Sequence, residues 1–145
     1  MLRELALLAA LTFATEGIAN AEGFDVIELR QAGQDLLSGD YAGIKAVVAA
    51  KGDVKNLEDP AKAIGRWMRQ FPSLFPKGSE VGHNTRALPA IWSNPDGFQK
   101  AAGDLVEAAT KLADLAKAGD TDAVATQVKV VGDACAACHR TFRAR

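Results

Sequence analysis

Apolar residues recur at helical spacing in four stretches of the chain, and in none do they alternate in the manner of a strand. From about Phe24 to Ala50, Val26, Leu29, Gly33, Leu36, Leu37, Tyr41, Ile44, Val47 and Val48 mark one side of a first helix. Gly39 and Gly43 weaken its middle, and Gly52-Asp53 is the expected stop. A second helix is expected from Asp59-Pro60, read as an N-cap followed by a first-turn proline. It runs through Ala63, Ile64, Trp67 and Met68 to about Phe71, where Pro72 ends it. A third starts at Asn94-Pro95, carries Phe98, Ala102, Leu105, Ala109, Leu112 and Leu115, and ends at Ala118-Gly119-Asp120. The fourth starts at Thr121 and continues through Val124, Val128, Val131 and Cys135 to about Arg143. Between the second and third lies a long connection with Pro72, Pro76, Pro89, Pro95, Gly78 and Gly82, packed down by Leu74, Phe75, Ile91 and Trp92. Two short links and one long one predict an all-α chain, an antiparallel four-helix bundle.

The first 21 residues change the picture at one end. Met1-Leu2-Arg3 supplies a positive charge, Leu5 to Ala14 is apolar, and Ala19-Asn20-Ala21 is a small-x-small cleavage site. Residues 1–21 therefore read as a secretory signal peptide, with the alternative that they extend the first helix. The apolar run is too short for a stable membrane span. Residues 22–145 then form one domain. Of 17 basic and 18 acidic side chains, the leader holds Arg3, Glu4 and Glu16, so 16 of each remain. That balance argues against nucleic acid as a partner and gives no strong long-range field.

The chemistry is concentrated near the C-terminus. Cys135-Ala136-Ala137-Cys138-His139 is the C-x-x-C-H pattern of a covalently attached c-type haem, one per chain. Each thiol can add across a vinyl group, and His139 can then give its imidazole nitrogen to the iron. In a helix the three residues stand at i, i+3 and i+4 on one face, which Val128, Val131 and Gly132 extend. Other uses of the same residues are a zinc site completed by His83, a thioredoxin-like dithiol, or a disulfide between Cys135 and Cys138. Zinc needs adjacent Cys138 and His139 to reach one small ion, and the dithiol motif belongs at a strand-to-helix junction that nothing before Cys135 suggests. Covalent haem assembly is associated with extracytoplasmic compartments, so with the leader it points to the periplasm.

Residues Gly132 to Arg143 look like the G-x-x-C-x-x-C-H-x-x-[FY]-R ending of the class II c-type cytochromes, the cytochrome c′ family. Leu29-Arg30-Gln31 resembles the family's early apolar-Arg-Gln element, and Pro89-Ala90-Ile91-Trp92-Ser93 followed by Phe98 resembles its P-x-I-W-S turn. The resemblance implies a four-helix haem bundle, often a homodimer through its first two helices. It implies haem attachment at Cys135 and Cys138 with His139 as proximal ligand. Arg143 matches a basic position near the proximal imidazole; otherwise it is a solvated cation at a helix C-terminus. Arg30 and Gln31 match positions near the haem propionates, whose charge a cation would offset; otherwise they lie on an exposed helix face.

The sixth iron position separates low-spin members, which place a methionine from the first helix there, from high-spin members with an apolar or aromatic plug. Four residues beyond Arg30 this chain has Gln34, and its methionines are Met1 and Met68, the latter on the second helix. Gln34 either lines the pocket and offers its amide to a bound diatomic, or ligates weakly, or faces solvent while Leu37 caps the iron. His83, on the long connection, is a second distal possibility and otherwise an exposed loop histidine. Trp67, Trp92, Phe75 and Phe98 suit core packing. The expected function is electron transfer with redox partner proteins, by a five-coordinate iron able to bind NO or CO. Peroxidase chemistry lacks a distal acid or base, so an enzyme is disfavoured.

Overall fold

The structure, a computed structural model, describes residues 25–145. The expected signal peptide, residues 1–21, and Phe24 at the start of the first expected helix lie outside the described residues. Helix α1 spans Val26–Ala49, α2 Glu58–Gln70, α3 Ala90–Ser93, α4 Pro95–Ala118 and α5 Thr121–Phe142. Short 3-10 turns at Val54–Leu57 and Phe71–Leu74 flank α2. The four long helices are those the periodicity predicts; α3 is one turn within the long connection. Among the described residues, β pairing is confined to the isolated antiparallel bridge between Ala87 and Arg143, and no helix is long and apolar enough to cross a membrane.

Side-chain caps set the helix starts. Asp25 Oδ1 accepts from the backbone N–H of Ile27 at 2.7 Å and of Glu28 at 3.2 Å. Asn94 Oδ1 accepts from Gly97 N–H at 3.1 Å, and Asp120 Oδ1 from Ala123 N–H at 3.0 Å. Gly119, at φ +77°, ends α4 in the left-handed conformation as its sequence predicts.

Three expectations need correction. Asp59 is not an N-cap: Asp53 Oδ1 accepts from Lys55 N–H at 2.9 Å and caps the 3-10 turn that runs on into α2. The stop of α1 is one residue earlier than Gly52, because Lys51 takes the left-handed φ of +53° while Gly52 N–H donates back to Val47 O at 2.9 Å. Leu36 is 74% exposed rather than part of the core side. The buried side of α1 is set by Ile27, Arg30, Gly33, Leu37 and Ile44, and Leu36 stands about 100° away from Leu37 around the helix. Gly39 and Gly43 do not interrupt α1, since both face open space and the opposite side is held by the core.

The core is zipped by small residues. Ala109, Ala113 and Ala116 of α4 are buried with Ala61 and Ile64 of α2 and with Val124 and Val131 of α5. A Cβ on Gly65 would sit 3.8 Å from that of Ala109, so α2 and α4 approach closely without a large side chain between them. α1 meets α2 differently: Gly33 lies under the Trp67 indole, where a Cβ would come within 1.9 Å of the ring.

Candidate haem site

A cavity of about 610 Å³ opens where α1 and α5 stand apart, within the range usual for small-molecule and cofactor sites. One wall is α5, with Cys135, Cys138, His139 and Phe142. Another is α1, with Arg30, Gln34, Leu37 and Tyr41. Met68, Phe71, Phe75 and Ile91 line it from α2 and the connection, and Phe98 and Leu105 from α4. Phe71, Phe75, Phe98 and Phe142 form a chain of tilted and edge-to-face contacts with ring centroids 4.9 to 6.1 Å apart.

The predicted i, i+3, i+4 arrangement holds: the two cysteines and His139 share the α5 wall inside an uninterrupted helix. Burial pushes both thiols up, Cys138 to about 11, with Cys135 adding to the effect. A reactive dithiol has a lowered pKa instead, so the thioredoxin-like use does not fit. The sulfurs are not bonded to each other, and among the described residues no three metal-binding side chains converge, so the zinc use does not fit either. Two sulfurs and an imidazole on one wall of an apolar, aromatic cavity do fit a covalently held haem. Burial lowers the pKa of His139, helped by the Arg86 cation, and so favours the neutral ring whose nitrogen can ligate.

Arg30 is 3% exposed. Its Nη1 donates to Leu74 O at 3.1 Å and Ser79 Oγ at 2.9 Å, and its Nη2 to Ser79 O at 2.7 Å and Thr85 Oγ1 at 3.2 Å. Its guanidinium also lies 4.3 Å from the Phe75 ring centroid. Arg30 thus pins the long connection to α1 while reaching the cavity edge, and it is not on an exposed helix face. Gln31, also at the edge, donates to His83 O at 3.0 Å. Gln34 is half-buried and lines the cavity, its Nε2 donating to Met68 Sδ at 3.7 Å. Leu37 lines the same wall. Arg143 lines the cavity mouth, exposed, its backbone N–H donating to His139 O at 3.2 Å.

His83 is not part of the site. Its ring turns to the start of α1, with Nε2 2.6 Å from Asp25 Oδ2 and Nδ1 3.3 Å from Glu28 Oε1. Trp92 packs under the connection and donates from Nε1 to Phe75 O at 3.0 Å. Trp67 covers Gly33 and leaves its buried Nε1 without a partner, away from the cavity lining.

Sequence reasoning missed three contributors. Met68, set apart because of its helix, reaches the cavity through the last turn of α2. Arg86 comes beside His139 because Ala144 N–H donates to Arg86 O at 2.8 Å and Leu88 N–H to Phe142 O at 3.0 Å, a long-range pairing with no local signal. Tyr41 donates from Oη to Val128 O at 3.0 Å, in a space that Gly132 leaves: a Cβ there would meet Oη at 2.4 Å. The chain's single tyrosine set against a glycine just before the motif was the available hint.

The family described as Cytochrome C′ matches residues 25–143. A cytochrome c′ of Rhodospirillum rubrum is 34% identical over 144 residues, covering 97% of this chain and 95% of that protein. A solved cytochrome c′ with an unusual ligand-controlled dimer dissociation superposes with a TM-score of 0.78 at 32% identity, over 85% of this chain and 99% of that one. The nitric oxide complex of a variant cytochrome c′ from Alcaligenes xylosoxidans gives a TM-score of 0.75 at 25% identity, over 83% of this chain and 94% of that one. With a match across nearly every described residue and a cavity that gathers the C-x-x-C-H motif, the chain belongs to the cytochrome c′ family, whose cofactor is haem c.

Proposed function

We propose that this chain is a periplasmic electron-transfer protein whose haem is carried on Cys135 and Cys138 and ligated from below by His139. In this reading the haem iron would be five-coordinate, with its side away from His139 open to NO or CO. The observation that carries it is the division of the cavity: the three motif residues share the α5 wall, while the α1 wall presents Gln34 and Leu37 and no strong ligand.

When bound, the haem supplies one-electron exchange between Fe(II) and Fe(III). The chain's own groups do the rest. Cys135 and Cys138 fix the ring to one helix, and the aromatic chain from Phe71 to Phe142 excludes water and limits movement. Arg86 and Arg143 place positive charge at the mouth beside His139, which disfavours protonation of the ring and keeps its nitrogen free to ligate; Arg30 and Gln31 set polar groups at the edge where propionates would lie. Leu37, Phe71 and Gln34 crowd the other side, which suits a diatomic and rejects bulky ligands. The NO complex of the Alcaligenes xylosoxidans variant supports this use of the fold. Gln34 is no acid or base for peroxide cleavage, so a carrier is favoured over an enzyme.

An exported chain needs the leader read at residues 1–21, and a second copy of this chain is the expected partner besides redox proteins. The outer face of α1, with Leu36 74% exposed and Gly39 and Gly43 open, supports pairing through that helix. The relative whose dimer dissociates under ligand control supports it as well.

A low-spin, six-coordinate carrier is the second reading, favoured by one observation, the Met68 sulfur in the cavity wall. Absorption spectra of the reduced protein with and without CO separate the two. A high-spin spectrum converted by CO is expected; a low-spin spectrum that CO leaves unchanged would overturn the five-coordinate reading.

A further inference from the structure

The amide of Gln34 has a fixed partner inside the cavity. Its Nε2 donates to Met68 Sδ at 3.7 Å, and both residues line the space that would hold the ring. Met68 is 3% exposed near the end of α2 and lines the cavity with the buried Phe71, so its sulfur is packed into the wall rather than free in solvent. Gln34 has the opposite surroundings: half-buried, with exposed Asp35 and Ser38 beside it on α1. A free glutamine at such a position samples several rotamers, some in water, and ordering it carries an entropic cost.

We propose that Met68 is a positioning residue for Gln34, holding the amide turned into the cavity so that its second N–H faces a diatomic ligand on the side of the ring away from His139. This rests on the gas-binding reading above and names the part of the wall that makes it selective. The chemistry follows from the amide's inventory: two N–H donors on one nitrogen, of which the sulfur takes one and leaves the second for a ligand. A thioether is a weak acceptor, yet here it is buried and shielded from water, where a polar contact counts for more than in solvent. An apolar residue of the same size would fill the wall equally well and leave the amide free to leave it.

Infrared spectroscopy of the reduced CO adduct of the holoprotein reads the amide directly, because donation to the ligand's oxygen lowers the C–O stretch. Gln34→Leu should raise that stretch and release CO roughly two- to tenfold faster, the range of one neutral hydrogen bond. Met68→Leu, which keeps the apolar volume, should move the band toward the Gln34→Leu position or split it between the two positions. The double variant should look like Gln34→Leu. Met68 is the chain's only methionine besides Met1, so norleucine in place of methionine removes this sulfur with almost no change of shape and should act as Met68→Leu does. A Met68→Leu or norleucine band at the wild-type position, with Gln34→Leu shifted, overturns the positioning role and leaves the distal amide intact. A Gln34→Leu band identical to wild type instead overturns the distal amide, and the role of Met68 with it.

Discussion

The two halves of the bundle are built on different principles. Where α2, α4 and α5 meet, Ala61, Ala109, Leu112, Ala116, Val124 and Val131 are each under 1% exposed, and alanines let the backbones approach until no space is left. Where α1 faces α5, the helices are kept apart. Gly33 seats Trp67 and so holds α1 to α2 on the side away from the cavity, Tyr41 bridges to the Val128 carbonyl of α5, and Arg30 ties the long connection across one end of the gap. One half is closed by shape, the other held open by a few directed polar contacts. A cofactor cavity requires the second kind, since dispersion alone would draw the walls together or leave an unsupported void.

That contrast can be broken from either side. Leu112→Ala in the closed half should cost about 2–5 kcal/mol in denaturant unfolding, with the haem spectrum unchanged. Arg30→Met in the open half should cost about 3 kcal/mol, because carbonyls of Leu74 and Ser79 lose a charged donor. Unlike Leu112→Ala, it should also expose residues 76–87 to proteolysis and alter the spectrum. Equal spectra for the two variants would remove the distinction between the halves.

Tyr41→Phe is a finer test. It removes one hydrogen bond that spans α1 and α5 while keeping the ring, and a loss of about 1 kcal/mol is expected in the same unfolding experiment. A loss near zero would mean that the haem, rather than this bridge, sets the helix separation.

Much of this organisation is legible in the sequence, for physical reasons that differ by residue. Cys135, Cys138 and His139 are readable because the chemistry depends only on spacing along one helix, and the four long helices because their apolar periods are local. Gly119 as the end of α4 is likewise local. Leu36 misled because adjacent leucines offer two phases of the same helix, and only packing against the connection, through buried Arg30, decides between them. Met68 and Arg86 were hidden because neither has a local signature: one reaches the cavity from the last turn of α2, the other through a backbone pairing to residue 144. His83 is the loop histidine that its place on the proline-containing connection suggests, at φ +48° and engaged by Asp25 and Glu28 rather than by the cavity.

The smallest expected effect concerns the free end of the open half. The backbone N–H groups of Ile27 and Glu28, and secondarily His83, hold the Asp25 carboxyl below its usual 3.8. A lowered folded-state pKa means that the charge stabilises α1 above that pH and that this contribution is lost as pH falls through the lowered value. The stability difference between wild type and Asp25→Asn, which keeps a capping oxygen without the charge, should therefore shrink on acidification below 3.8. A difference that stays constant down to the acid transition would refute it.

The most direct test of the account is the mass of the mature chain after denaturation. Attachment at Cys135 and Cys138 predicts a polypeptide heavier by one haem, reduced to the bare polypeptide when both cysteines are replaced. A wild-type chain that releases its chromophore on unfolding and weighs only as much as its amino acids would contradict it.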